Sequence, residues 1–209
     1  MRGGGDEPSA LALWLQVSGP VAPGHVAEAM PPRFALAEDG TAYVGGTSAI
    51  EAVRLEGAEV RDIEKAIDRI RKIPNLQPKV VLGQGQTTYH LIVRRGRPLD
   101  LTATGDPGAA PPALRPVAAL LSRLADFSPP DLRPFRPVSY ALAVKEESLP
   151  GGCRSWTFPV PLVQAMQSPQ LVPAAAAEAW PTGGNSAQVC SGDKRYLVSL
   201  RPMLPGEHR

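Results

Sequence analysis

Proline and glycine set the first limit on this fold: 24 prolines and 20 glycines are spread through the 209 residues. Proline has no amide hydrogen and a fixed φ, so helices and interior strands can run only where it thins out. The chain must therefore be assembled from many short elements joined by structured loops. Its 43% apolar content still supplies a core of ordinary size, and the Pro and Gly share stays below that of low-complexity chains.

Periodicity locates the elements. Leu11, Leu13, Leu15 and Val17 alternate with smaller or polar neighbours, which predicts a strand over 10–17. Asp39-Gly40 is a favoured turn pair, and it separates 33–37 from 41–44 in a predicted hairpin with Phe34, Leu36, Ala42 and Val44 on the buried face. Val60, Ile63, Ile67 and Ile70 recur at helical spacing over 59–73, with acidic residues opening the run, basic residues closing it and Pro74 ending it. Strands follow at 80–82, 88–94 and 99–104, read as an antiparallel meander. A second helix is predicted over 112–127, with Leu114, Val117, Leu121 and Leu124 on one face. Beyond Pro134 the expected elements are a strand at 139–144, an irregular stretch at 151–161, short helices at 162–167 and 174–180, and a hairpin over 188–200 turning at Gly192-Asp193.

Strands and helices are thus grouped by hairpins and do not alternate in crossover units, which specifies an α+β fold: two main helices on antiparallel sheet. The expected organisation is a polar, glycine-rich tether at 1–9, an α+β domain at 10–133, and a C-terminal extension or subdomain at 134–209.

Cys153 and Cys190 are the only cysteines. No short C-x-x-C spacing suggests metal or redox chemistry, and an isolated even pair beside turn glycines reads as one structural disulfide of an exported protein. The alternative is two buried thiols acting as small apolar groups. Closing a loop of about 38 residues would remove roughly 4 kcal/mol of unfolded-chain entropy, and it would fasten the segment carrying Trp156 and Phe158 to the terminal hairpin.

Charge and motif content exclude several chemistries. With 22 basic and 20 acidic residues the net charge is +2, too small a field for a general nucleic-acid binder. No apolar run has the roughly 20 residues needed to span a bilayer. The three histidines, His25, His90 and His208, share no metal-ligand spacing, so neither a metal nor a cofactor is expected. No G-x-S-x-G, H-E-x-x-H, Walker or dinucleotide motif occurs, and the Gly83-Gln84-Gly85 turn lacks the lysine and helix of a phosphate loop. Arg94, Arg95 and Arg97 around Gly96 form the densest basic spot, which protects a hairpin tip. Trp156 and Trp180 sit in proline-rich stretches of an aromatic-poor chain; each ring either plugs a small core or anchors a partner.

Pro32-Arg33-Phe34 through Asp39-Gly40-Thr41 with Tyr43, then Trp180, Asp193-Lys194-Arg195-Tyr196 and Arg201-Pro202-Met203-Leu204-Pro205-Gly206-Glu207, give the chain a pattern that resembles a family of exported, often lipid-anchored bacterial proteins of unknown function. The resemblance implies an extracytoplasmic location, with any export signal removed beforehand. It assigns no catalytic residue, and the lipidation cysteine usual in that family has no counterpart here. The function expected is therefore a non-catalytic domain that binds a protein or cell-envelope partner. An accessory subunit of a larger complex and a hydrolase without a recognisable motif are the alternatives.

Overall fold

The computed structural model of the protein describes residues 10–20, 26–45, 49–182 and 186–207. The tether expected at 1–9, His25 and His208 lie outside the described residues. The fold is α+β, with two sheets in which nearly every strand pairing is antiparallel.

In chain order the first part comprises β1 (Leu11–Ser18), β2 (Phe34–Ala37), β3 (Thr41–Gly45), β4 (Ile50–Arg54), α1 (Gly57–Arg71), β5 (Lys79–Val81), β6 (Thr88–Val93), β7 (Leu99–Thr104), α2 (Arg115–Ala125) and β8 (Arg133–Pro134). Its eight strands form one sheet in the order β5-β7-β6-β1-β2-β3-β4-β8. The second part comprises β9 (Ser139–Glu146), α3 (Leu162–Gln167), β10 (Gln170–Pro173), α4 (Ala174–Ala177), β11 (Ala187–Ser191) and β12 (Lys194–Pro202). Its four strands are ordered β10-β9-β12-β11.

The helices form where the isoleucine and leucine stripes required. Ile63, Ile67 and Ile70 of α1 and Val117, Leu121 and Leu124 of α2 are buried against Leu13, Leu15, Phe34, Leu36, Leu91 and Leu101 of the sheet. The Glu59 carboxylate accepts the Glu56 amide at 3.0 Å, which satisfies one donor left free at the start of α1. A separate 3-10 turn over Pro112–Leu114 precedes α2, because consecutive prolines remove the amides an earlier α-helical start would need.

The meander expected at 80–104 is corrected in one respect. β5 pairs parallel with β7, with Val80 opposite Ala103, and does not pair with β6. The Gly83-to-Gln86 connection instead folds over the end of β7, where a Cβ on Gly105 would lie 2.1 Å from the Gly83 carbonyl oxygen. Gly105 also has φ +107°, so backbone contact there requires glycine on both steric and conformational grounds. β4, β8 and β10 were not foreseen; each is short and carries prolines or charges that mask alternation.

The first sheet is buried on its other face as well, where Leu11, Ala35, Ala37, Tyr43 and Ile50 pack with Leu204 from the C-terminal tail. Arg201 and Glu207 fasten that tail. Their side chains are only 10% and 12% exposed, Arg201 Nη1 donates to Glu207 Oε2 at 3.0 Å, and the Leu204 amide donates to the same oxygen at 3.2 Å. The Arg201 guanidinium lies 5.7 Å from the centre of the Trp14 ring, a cation–π distance. A strand of the second sheet thus ends in a clasp against the first.

Candidate functional site: an aromatic cleft at the junction of the sheets

The second sheet has little helix to cover it. α3 has six residues and α4 four, so its core is completed by aromatic rings. Trp180 packs against Phe158 with centroids 4.6 Å apart, and Trp156 meets both rings edge-on at 5.0 and 6.4 Å. Each indole is also hydrogen-bonded: Trp180 Nε1 donates to Thr157 Oγ1 at 3.0 Å, and Trp156 Nε1 donates to the Val160 carbonyl at 2.7 Å. A buried indole N–H needs such a partner.

The irregular stretch bearing these rings is fixed to the sheet edge. Cys153 and Cys190 form a disulfide with Cα atoms 5.5 Å apart. The Arg154 amide donates to the Gln188 carbonyl at 2.7 Å, which adds a one-residue parallel bridge outside β11. Buried Gln188 accepts the Leu149 amide at 2.8 Å, and Arg195 Nη1 donates to the Leu149 carbonyl at 2.9 Å. A segment without regular structure therefore has its backbone partners supplied by side chains and by the sheet edge.

One edge of the Trp180 ring opens onto a cleft of about 440 Å³. Phe135, Tyr140 and Trp180 supply three aromatic walls, and Arg136 and Glu178 place one cation and one anion beside them. The main chain sets these positions. The Phe135 amide donates to the Ile50 carbonyl at 2.9 Å, and its ring meets Tyr43 edge-on at 5.2 Å, so this wall belongs to the first sheet. Tyr140 sits on β9, and the Trp180 amide closes α4 through the Ala177 carbonyl at 2.9 Å. Burial pushes the Tyr140 phenol above its ordinary pKa.

Pro137 and Ala174 lie on the lip, and the Ala174 amide donates to the carbonyl of Val138 at 3.1 Å. Val138 is 87% exposed. A volume of this size falls within the range of small recognition pockets, and the lining offers apolar contact, aromatic faces and two opposite charges.

The structure thus separates the two tryptophans singled out in the sequence. Both join one aromatic cluster, but only Trp180 reaches the cleft, and Trp156 lies behind it. Phe135 and Tyr140 gave no signal in sequence because they come from a proline-rich linker and from a strand whose inward and outward faces are both apolar. His90 stands apart on β6, where its exposed Nε2 lies 2.8 Å from Asp100 Oδ1 of β7. Among the described residues no three His, Cys, Asp or Glu side chains gather to hold a metal ion, and no helix is long and apolar enough to cross a membrane. Compared with known proteins, the chain matches no family model, no curated protein and no solved structure.

Proposed function

We propose that this protein is a non-catalytic binding domain that works outside the cytoplasm and captures an apolar side chain of an envelope protein in the cleft beside Trp180. The observation that carries this reading is the junction itself: three aromatic walls meet in a cleft flanked by Pro137 and Ala174, with the exposed Val138 next to it in the chain. Aromatic pockets with an apolar rim favour a protein anchor residue. The mixed charge of Arg136 and Glu178 supplies orientation without strong preference for either sign of partner. The disulfide agrees with an oxidising compartment, as does the resemblance to exported, often lipid-anchored bacterial proteins.

An accessory subunit is the second reading. Val163, Met166 and Leu171 are also exposed, at 67%, 39% and 55%, and with Val138 they place most of the exposed large apolar residues on the second sheet and its helices. A permanent neighbour would cover them.

The test is affinity capture from envelope extract with the disulfide-intact protein, compared with Val138→Asp and Arg136→Glu. Both residues are exposed, so neither change should affect folding. A partner retained by the wild type and lost by Arg136→Glu supports capture at the cleft, which Arg136 lines. Equal recovery by all three proteins removes the cleft from the interaction.

A further inference from the structure

The disulfide lies open to solvent. Cys190 and every residue from Gly151 to Ser155, Cys153 included, are exposed. Beside Gly151, Gly152 and Gly192, nothing beyond the adjoining residues comes within 4 Å of the place a Cβ would take. A buried crosslink is reached only when the whole fold opens, which slows its reduction by about a thousandfold or more. Here a thiolate can approach the bridge in the folded protein.

A short path joins the bridge to Trp180. Arg154, next to Cys153, donates its amide to the Gln188 carbonyl at 2.7 Å and its Nη1 to the Ala179 carbonyl at 2.6 Å. Thr157 Oγ1 accepts the Trp180 indole N–H at 3.0 Å, and Trp156 and Phe158 on either side of it pack against the same ring. The Arg154 bonds lie at an exposed edge, where water competes for them, so the covalent link keeps this stretch in place. We infer that Cys153 and Cys190 form a redox switch for the aromatic cleft. One thiolate of an external dithiol attacks a bridge sulfur, the S–S bond breaks, and the departing cysteine takes up a proton. The second sulfur of the dithiol, having lost its proton, then displaces the other cysteine, which is protonated in turn. Two electrons and two protons thus pass to the protein, and the dithiol becomes a disulfide. Arg154 leaves the β11 edge, Thr157 releases the indole, and the Trp180 ring loses its fixed position. Trp180 walls the cleft whatever enters it, so the switch does not depend on capture of an envelope protein.

Reduction of the folded protein tests this. In dithiothreitol without denaturant, free thiols should appear within about a hundredfold of the rate for the unfolded chain. The indole N–H resonances of Trp156 and Trp180 should shift, that of Trp14 in the first sheet should stay, and reoxidation should restore the original spectrum. The double variant Cys153→Ser with Cys190→Ser should give the reduced spectrum and not respond to dithiothreitol. If that variant does not fold, the wild type decides. Thiols that appear more slowly than that limit, or Trp156 and Trp180 indoles unmoved after full reduction, overturn the proposal.

Discussion

The two sheets solve the same burial problem with different means. The first is covered by helices of fifteen and eleven residues, whose aliphatic stripes fill a core reaching across most of its strands. It has no covalent link. The second has helices of six and four residues, and in their place it uses Trp156, Phe158 and Trp180, a disulfide and side-chain bonds to an irregular loop. Where proline density prevents long helices, ring area and a crosslink replace helical packing. The difference has a functional corollary: a sheet covered by short pieces leaves gaps at its margin, and the aromatic cleft is one of them.

The comparison breaks most sharply at the clasp joining the two regions. Glu207→Ala leaves Arg201 buried without its partner, and removing one member of a buried pair costs about 3–5 kcal/mol. Chemical denaturation should show that loss, whereas Arg201→Met with Glu207→Leu should recover much of it. Next come the cores. Leu121→Ala, in the fully buried stripe of α2, and Trp180→Ala should each cost about 3–5 kcal/mol by thermal melts, but with different reach. Loss of near-ultraviolet signal should be broad in Trp180→Ala, because three clustered rings lose their packing together. A smaller effect follows from replacing both Cys153 and Cys190 by serine, for which about 2–4 kcal/mol is expected. Val138→Asp, at an exposed site, should change stability by less than about 0.5 kcal/mol, and so isolates binding from folding.

Legibility in sequence follows the same division. In the first region the period of 3.6 in Ile63, Ile67 and Ile70 and the Asp39-Gly40 turn gave helix and hairpin within a few residues of their observed limits. The parallel pairing of β5 with β7 was hidden because three residues carry no directional information, and the close approach of Gly83 to Gly105 beside it joins residues remote in sequence. In the second region the disulfide, the two short helices and the terminal hairpin were readable from cysteine count and turn glycines. The cleft was not, since Phe135, Tyr140 and Trp180 are brought together only when β8 pairs with β4 and the sheets meet. Burial of both faces also escaped the pattern. Tyr196, Val198 and Leu200 are buried on one side of β12, and Leu197, Ser199 and Arg201 on the opposite side are equally hidden, because residues around Val26 and Ala29 cover Leu197 and the C-terminal clasp holds Arg201.

Hydrogen exchange followed by mass spectrometry, in the presence and absence of reductant, tests the division of the molecule most directly. On reduction, amides of 149–160 and of β11 should lose protection by an order of magnitude or more, while β1, β6 and α1 keep theirs. Equal loss across both sheets, or no loss beside Cys153 and Cys190, would contradict the account.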